Sequence, residues 1–214
     1  MRTYKSLLCG LVISMGALIP AVAQQADADG FISLMDGKTF NGWKKTTENP
    51  DTWIIKDGAF VTSGSRSHLF YDGDAQPFKN FELKADVRTT SGSNGGIYIH
   101  TKYQPDNWPK EGYEIQVNQS HSDWRKSGSI YAVNDVKEVH VKDNEWYSYD
   151  IIVQGKRIIV KLNGKVVNDW TEEPNRQPGK DFTRILTSGT IALQAHDPKS
   201  VIEYKNIRIK KLDE

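Results

Sequence analysis

Cysteine is almost absent from this 214-residue chain, and the one present, Cys9, stands near the amino terminus ahead of most of an apolar run. That run, residues 7–19, follows Arg2 and Lys5 and precedes Ala21-Val22-Ala23, the order of charged, apolar and small residues found in a secretory signal. Cleavage after about Ala23 is expected, giving an exported protein, periplasmic or extracellular, without any cysteine. Such a chain has no disulfide to rely on, so a packed core must hold it together. Long apolar stretches are missing too. No segment beyond the leader approaches the roughly 20 residues a membrane-spanning helix needs. Charge of one sign is also lacking: 28 Lys and Arg stand against 27 Asp and Glu, with no long block of either. A nucleic-acid or anionic-membrane partner is therefore not favoured. Phosphate loops, dinucleotide fingerprints and Ser or Cys nucleophile signatures are absent as well.

Sustained helical periodicity is hard to find, and short runs of apolar alternation punctuated by turn dipeptides take its place. Segments 53–55 and 59–61 flank Asp57-Gly58, and 157–162 and 165–170 flank Asn163-Gly164; both dipeptides supply the positive φ angles of a two-residue hairpin. Residues 81–88 (FELKADVR) alternate as a strand with one wet face does. Further strands are expected at 97–100, 113–117, 130–133, 147–153, 190–196 and 202–209. Around ten strands without intervening helices predict an all-β fold, a two-sheet antiparallel jelly-roll sandwich, in a single domain over residues 31–214. Residues 24–30 read as a linker. Three long polar connections, 101–112, 118–129 and 171–188, are the natural places for binding function.

Alternation also sorts side chains by face. In 113–118 (YEIQVN), Glu114 and Gln116 oppose Tyr113, Ile115 and Val117; in 190–196 (TIALQAH), Ala192, Gln194 and His196 oppose Ile191, Leu193 and Ala195. In 97–100 (IYIH), Tyr98 and His100 oppose two isoleucines. If these strands share a sheet, one face collects a carboxylate, two imidazoles, two amides and a phenol. Gln, His and Tyr around a small Ala192 suit a lined groove better than a solvent face, where Lys, Thr and Ser prevail. Tyr103, Trp108 and Trp124 lie in the flanking loops, and an aromatic ring beside amides and carboxylates suits a sugar.

Several stretches, taken in order, resemble the 3-keto-disaccharide hydrolase family, exported bacterial domains with a concanavalin A-like lectin/glucanase sandwich. They are FISLMDGKTFNGW (31–43), residues 53–58, NGGI (94–97) ahead of His100, GYEIQ (112–116), GSIY (128–131), LNG (162–164), LQAH (193–196) and KNIRI (205–209). The resemblance spans about residues 31–212. It implies an enzyme acting on sugars already oxidised at C3, by hydrolysis or by elimination across C1–C2. A C3 ketone acidifies the C2 proton, so one base suffices, whereas ordinary glycosidases need two carboxylates about 5–10 Å apart. GYEIQVNQ offers only Glu114. His196 or Glu114 is the expected base, with His100 a further acid/base candidate. Gln116, Gln194 and Tyr98 would bind hydroxyls, Trp108 and Trp124 would stack on the sugar, Tyr131 would protonate the departing oxygen, and Lys205 would stabilise the enolate. His100 and Lys205 stand where relatives commonly carry Arg.

A small-molecule carbohydrate is the expected partner, with oligomeric state left open. No cofactor is predicted, although His100, Glu114 and His196 would form a two-His, one-carboxylate metal set if they converged. Asp72-Gly73-Asp74 reads as a turn, lacking further oxygen ligands at regular spacing. The alternative to an enzyme is a non-catalytic carbohydrate-binding domain on the same sandwich.

Overall fold

The computed structural model describes residues 26–213, so the expected leader and its cleavage site lie outside the described residues. Among the described residues thirteen strands run in chain order: β1 Ile32–Ser33, β2 Trp43–Lys45, β3 Trp53–Lys56, β4 Ala59–Thr62, β5 Ser67–Tyr71, β6 Phe81–Thr89, β7 Asn94–Thr101, β8 Tyr113–Asn118, β9 Tyr147–Gln154, β10 Arg157–Leu162, β11 Lys165–Thr171, β12 Thr190–Ala195 and β13 Ile202–Lys211. One short 3-10 turn, Pro50–Thr52, is the only helical element among the described residues, and no helix there is long and apolar enough to cross a membrane.

Two sheets form. The larger has the order β11-β10-β9-β6-β13-β4-β3, with β1 also on β13; the smaller has the order β2-β5-β12-β7-β8. Every pairing is antiparallel. Both predicted two-residue hairpins are present, with φ of 51° and 77° at Asp57 and Gly58 and of 49° and 78° at Asn163 and Gly164. β6 alternates as its sequence requires: Phe81, Leu83, Ala85 and Val87 are buried while Glu82, Lys84, Asp86 and Arg88 are half-exposed. Its apolar face meets Ile97 and Ile99 of β7, Ile115 and Val117 of β8 and Ile191 and Leu193 of β12, closing the core. Each of these side chains, fully buried, contributes about 1.5–3 kcal/mol of transfer free energy.

The smaller sheet is buried on both sides. β5 and β12 are buried at every residue, and on the face away from the core Phe70, Tyr98 and Ala192 form a second apolar cluster with Tyr103 packed against it. The polar residues of that face are therefore under loops, and the face is not an ordinary solvent surface.

One local expectation changes, and two local features are added. Residues 130–133 are a turn, because Ile130 makes only single bridges, to Ile115 and Asn134, and the Val133 and Asn134 N–H groups both donate back to the Ile130 carbonyl. β5 carries no alternation, being buried on both faces, and so gave no strand signal. Residues 27–30 are folded into a turn, with the Phe31 N–H donating to Asp27 Oδ1 at 2.8 Å.

Candidate functional site

A cavity of about 340 Å³ opens on the outer face of the smaller sheet. β7, β8 and β12 supply its floor: Asn94 and Tyr98, Glu114 and Gln116, and Gln194, with His196 immediately after β12. Loops supply the walls through Trp108 and Pro109, Tyr131, Phe182 and Arg184. Three sequence-distant strands thus converge because Ala192 pairs with Tyr98 and Tyr98 with Glu114 in adjacent registers.

Glu114 sits at the centre. Tyr98 donates its hydroxyl to Oε2 at 3.0 Å, and Gln194 Nε2 donates to Oε1 at 2.9 Å. Hydrogen-bond complementarity turns the Gln116 amide nitrogen toward Oε1 at 3.2 Å and the Gly95 carbonyl at 3.1 Å. Burial is the largest influence on this carboxyl and raises its pKa from 4.5 to about 7; the donors from Tyr98 and Gln194 oppose the rise without cancelling it. The same burial, with Glu114's charge beside it, drives the Tyr98 phenol well above its ordinary value. Gly96 makes the arrangement possible, since a Cβ there would lie 2.6 Å from Glu114 Oε1.

His196 stands at the edge of this floor, partly exposed. Its Nδ1 lies 2.8 Å from Asp197 Oδ2, and Trp108 packs along its ring with centroids 5.2 Å apart at 34°. Burial raises the Asp197 pKa, but hydrogen bonds from His196, Ser200 Oγ and the Lys199 N–H outweigh it and keep the carboxyl below its ordinary range. A carboxylate on Nδ1 selects the tautomer with the proton there, leaving Nε2 as the acceptor.

His100 is elsewhere. The pairing of β7 with β12 shifts by one residue at this point, and His100 takes a left-handed φ of 52°, which turns its ring inward against Phe81 at 5.7 Å. Gly112 and Gly189 press on both sides of this bulge; a Cβ at either would meet the backbone of residues 99–101. Nε2 of His100 donates to the Lys79 carbonyl at 2.9 Å and Nδ1 accepts the Thr187 N–H at 3.2 Å, so both nitrogens serve the fold. The two-His, one-carboxylate metal set accordingly does not assemble, and no group of three or more His, Cys, Asp or Glu side chains among the described residues is arranged to hold a metal.

Lys205 and Trp124 are likewise outside the cavity. Lys205 lies on the outer face of the larger sheet, with Nζ 3.8 Å from the Trp146 ring centre, across the core from Glu114. Trp124 is 46 % exposed and is flanked by Arg125 and Lys137. Tyr131 does line the cavity, but its hydroxyl donates to Asp123 Oδ2 at 3.2 Å. Burial, then the nearby Asp123 charge, raises its pKa, which makes it a weaker acid than a free phenol.

Arg184 is the main lining residue that sequence reading missed. The segment carrying it is tied down by Glu172, buried and accepting the Tyr113 hydroxyl and the Leu186 N–H at 2.6 Å each and Lys156 Nζ at 2.5 Å. An Arg in a polar loop has no sequence signal of its own; the buried Glu172, the His100–Thr187 bond, the Thr183 N–H on the Lys110 carbonyl and Arg176 Nε on the Arg184 carbonyl together fix the loop. His68 was missed too. It pairs with Gln194 across β5 and β12, touches the Tyr98 and Trp108 rings edge-on at 5.6 Å each, and burial lowers its pKa to about 3, so it backs those two lining rings as a neutral group.

Comparison with known proteins agrees with this architecture. A curated 3-keto-disaccharide hydrolase from Bacteroides thetaiotaomicron is 28 % identical over 235 residues, covering 87 % of this chain and 80 % of that one. A crystal structure from Parabacteroides distasonis ATCC 8503, provisionally named a glycosyl hydrolase, superimposes with a TM-score of 0.72 at 24 % identity, over 87 % of this chain and 95 % of the other. A non-specific endo-β-1,3(4)-glucanase shares the fold alone, with a TM-score of 0.56 at 10 % identity over 87 % and 93 % of the two chains. The model of the 3-keto-alpha-glucoside-1,2-lyase-like domain matches residues 30–210, and the chain belongs to that family.

Proposed function

We propose that the protein cleaves 3-keto-glycosides, with His196 removing the C2 proton and Glu114 protonating the departing C1 oxygen. The observation that carries this reading is that Glu114 is the sole carboxyl lining the cavity, beside an imidazole held by Asp197. A glycosidase of the ordinary kind would need a second carboxylate across the bond. A ketone substrate does not.

In the proposed reaction the C2–H bond breaks as Nε2 of His196 takes the proton, and its electrons pass into the C1–C2 bond through the enolate. The C1–O bond then breaks, and the leaving oxygen takes the proton of Glu114. A carboxyl with a pKa of about 7 is close to half protonated at neutral pH, which suits a general acid. Arg184, not the distant Lys205, supplies positive charge for the developing enolate. Water then adds to C1 of the unsaturated ketone, giving up its proton to the Glu114 carboxylate, while the proton of His196 returns to C2, which completes net hydrolysis and restores both groups; release before that step is elimination. Trp108 holds the His196 ring, and Gln116, Gln194 and Tyr98 fix Glu114 and accept or donate to sugar hydroxyls. The leader-like amino terminus supports a site of action outside the cytoplasm, which the mass of the protein recovered from its natural host would test.

The purified protein is incubated with a 3-keto-glucoside and, in parallel, with the unoxidised glucoside. Release of the aglycone from the keto substrate only, abolished in His196→Ala and strongly reduced in Glu114→Gln, is the expected result. Binding of either sugar without turnover would replace the enzyme with a carbohydrate-binding domain.

A further inference from the structure

His121 lies beside the cavity in the 118–137 loop and takes no part in the proposed chemistry so far. Its ring is 5.7 Å from that of His196, centroid to centroid, at 61°. The loop holds it tightly: its N–H donates to Asn118 Oδ1 at 2.9 Å, its carbonyl accepts Lys126 Nζ at 2.9 Å, and Asn118, fully buried, also ties the Asp123 and Arg125 carbonyls through Nδ2. Nδ1 of His121 accepts the backbone N–H of Asp123 at 3.0 Å. A nitrogen that accepts a backbone N–H carries no proton of its own, so the proton of the neutral ring is on Nε2. No partner for Nε2 exists among the described residues.

The two rings are therefore wired in opposite senses. Asp197 makes His196 Nε2 an acceptor, and the Asp123 N–H makes His121 Nε2 a donor. An acceptor and a donor on rings whose centres are 5.7 Å apart are the complementary pair that an enolisable ketone calls for, one for the C–H to be broken and one for the carbonyl oxygen on which charge collects. Arg184 lowers the energy of that charge without selecting an atom, whereas an N–H bond is directional.

We propose that His121 is a further catalytic residue, its Nε2–H donating a hydrogen bond to the C3 oxygen of the substrate as His196 takes the C2 proton. The assignment rests on the 3-keto reading above. In the balanced step the proton moves from C2 to His196 Nε2, the C2–H electrons form the C2–C3 double bond of the enolate, and the carbonyl π pair moves onto O3, against the His121 N–H; His121 itself gains and loses no proton.

The test uses the full-length protein with 3-keto-glucose in D2O, following loss of the C2 proton signal, which reports enolisation without departure of a glycosidic group. His121→Ala is expected to slow exchange by about 10²-fold, the cost of removing one donor to a developing oxyanion, with little change in apparent KM. His121→Gln, whose amide nitrogen reaches about where Nε2 stood, should recover most of the rate. Exchange in His121→Ala within twofold of wild type, or a Gln variant as slow as the Ala variant at an unchanged melting temperature, overturns the assignment. If the wild type neither exchanges C2 nor cleaves a 3-keto-glucoside, the 3-keto reading itself falls. His121 is then judged by calorimetry with 3-keto-glucose, where affinity lost in Ala and kept in Gln supports the bond and equal affinity in all three proteins refutes it.

Discussion

His196 and Asp197 are neighbours in the chain and partners in space: Nδ1 of the imidazole lies 2.8 Å from Oδ2 of the carboxylate. Adjacent residues seldom orient each other in a strand, where they face opposite sides, but the strand ends at Ala195 and the chain turns there, with the Ser200 N–H donating to the Asp197 carbonyl. The pair thereby combines a base facing the cavity with the group that fixes its tautomer.

Asp197→Asn would leave the ring in place and unsettle which nitrogen carries the proton. Turnover of a 3-keto-glucoside should fall by at least about tenfold, short of the ~10⁴ that the analogous change costs in a buried serine-protease triad. Steady-state kinetics with unchanged near-ultraviolet circular dichroism checks it.

Glu114→Gln removes the proposed proton donor while keeping the shape. Cleavage of a 3-keto-disaccharide, whose alkoxide leaves poorly, should drop far more than cleavage of a 3-keto-nitrophenyl glycoside, whose phenolate needs no acid. Equal losses on both substrates would remove Glu114 from that role.

The same variant has a stability signature. The folded pKa of Glu114, about 7, is above its unfolded value of 4.5, so the native state binds more protons than the unfolded state between those values, and stability falls as pH rises through that window. Glu114→Gln removes the dependence. Its melting temperature relative to wild type should climb between pH 4.5 and 7, by the equivalent of up to about 3 kcal/mol, and level off above.

Gly96→Ala would place a methyl group 2.6 Å from Glu114 Oε1. The carboxylate is held by Tyr98, Gln194 and Gln116 and cannot simply swing aside, so activity should be lost out of proportion to stability. Parallel thermal melts and kinetic assays separate the two.

His100→Ala should behave in the opposite way. It removes the ring bonds to the Lys79 carbonyl and the Thr187 N–H, worth about 0.5–1.5 kcal/mol each, and the packing on Phe81, while leaving Glu114 and His196 in place. The melting temperature should fall markedly, and the folded protein should retain far more activity than His196→Ala.

The β-sandwich was legible from alternation because period-two burial and Asp-Gly or Asn-Gly turns are local properties. The pairing of Glu114 with Gln194 was legible for the same reason: each lies on a regular stretch whose apolar partners mark the opposite face. His100 broke the rule at a bulge, where one extra residue and a positive φ reverse the side a residue faces, and nothing in IYIH announces it. β5 and its His68 escaped notice because a strand buried on both faces loses alternation. Lys205 alternates correctly, yet its strand belongs to the other sheet, and sheet membership is a long-range matter.

The sequence by itself determined the fold class, the single carboxylate of GYEIQVNQ, the carboxamide and imidazole of LQAH, and the family that the ordered motifs identify. These depend on chain-local spacing and on which side chains exist. Only the tertiary structure decided that Arg184 lines the site and His121 packs on His196 beside it, while His100, Lys205 and Trp124 stand outside. Loop direction and sheet order are set by hydrogen bonds between residues dozens of positions apart, and the proton positions on His196 and His121, though fixed by Asp197 and Asp123 close by in the chain, depend on turns that no alternation pattern encodes.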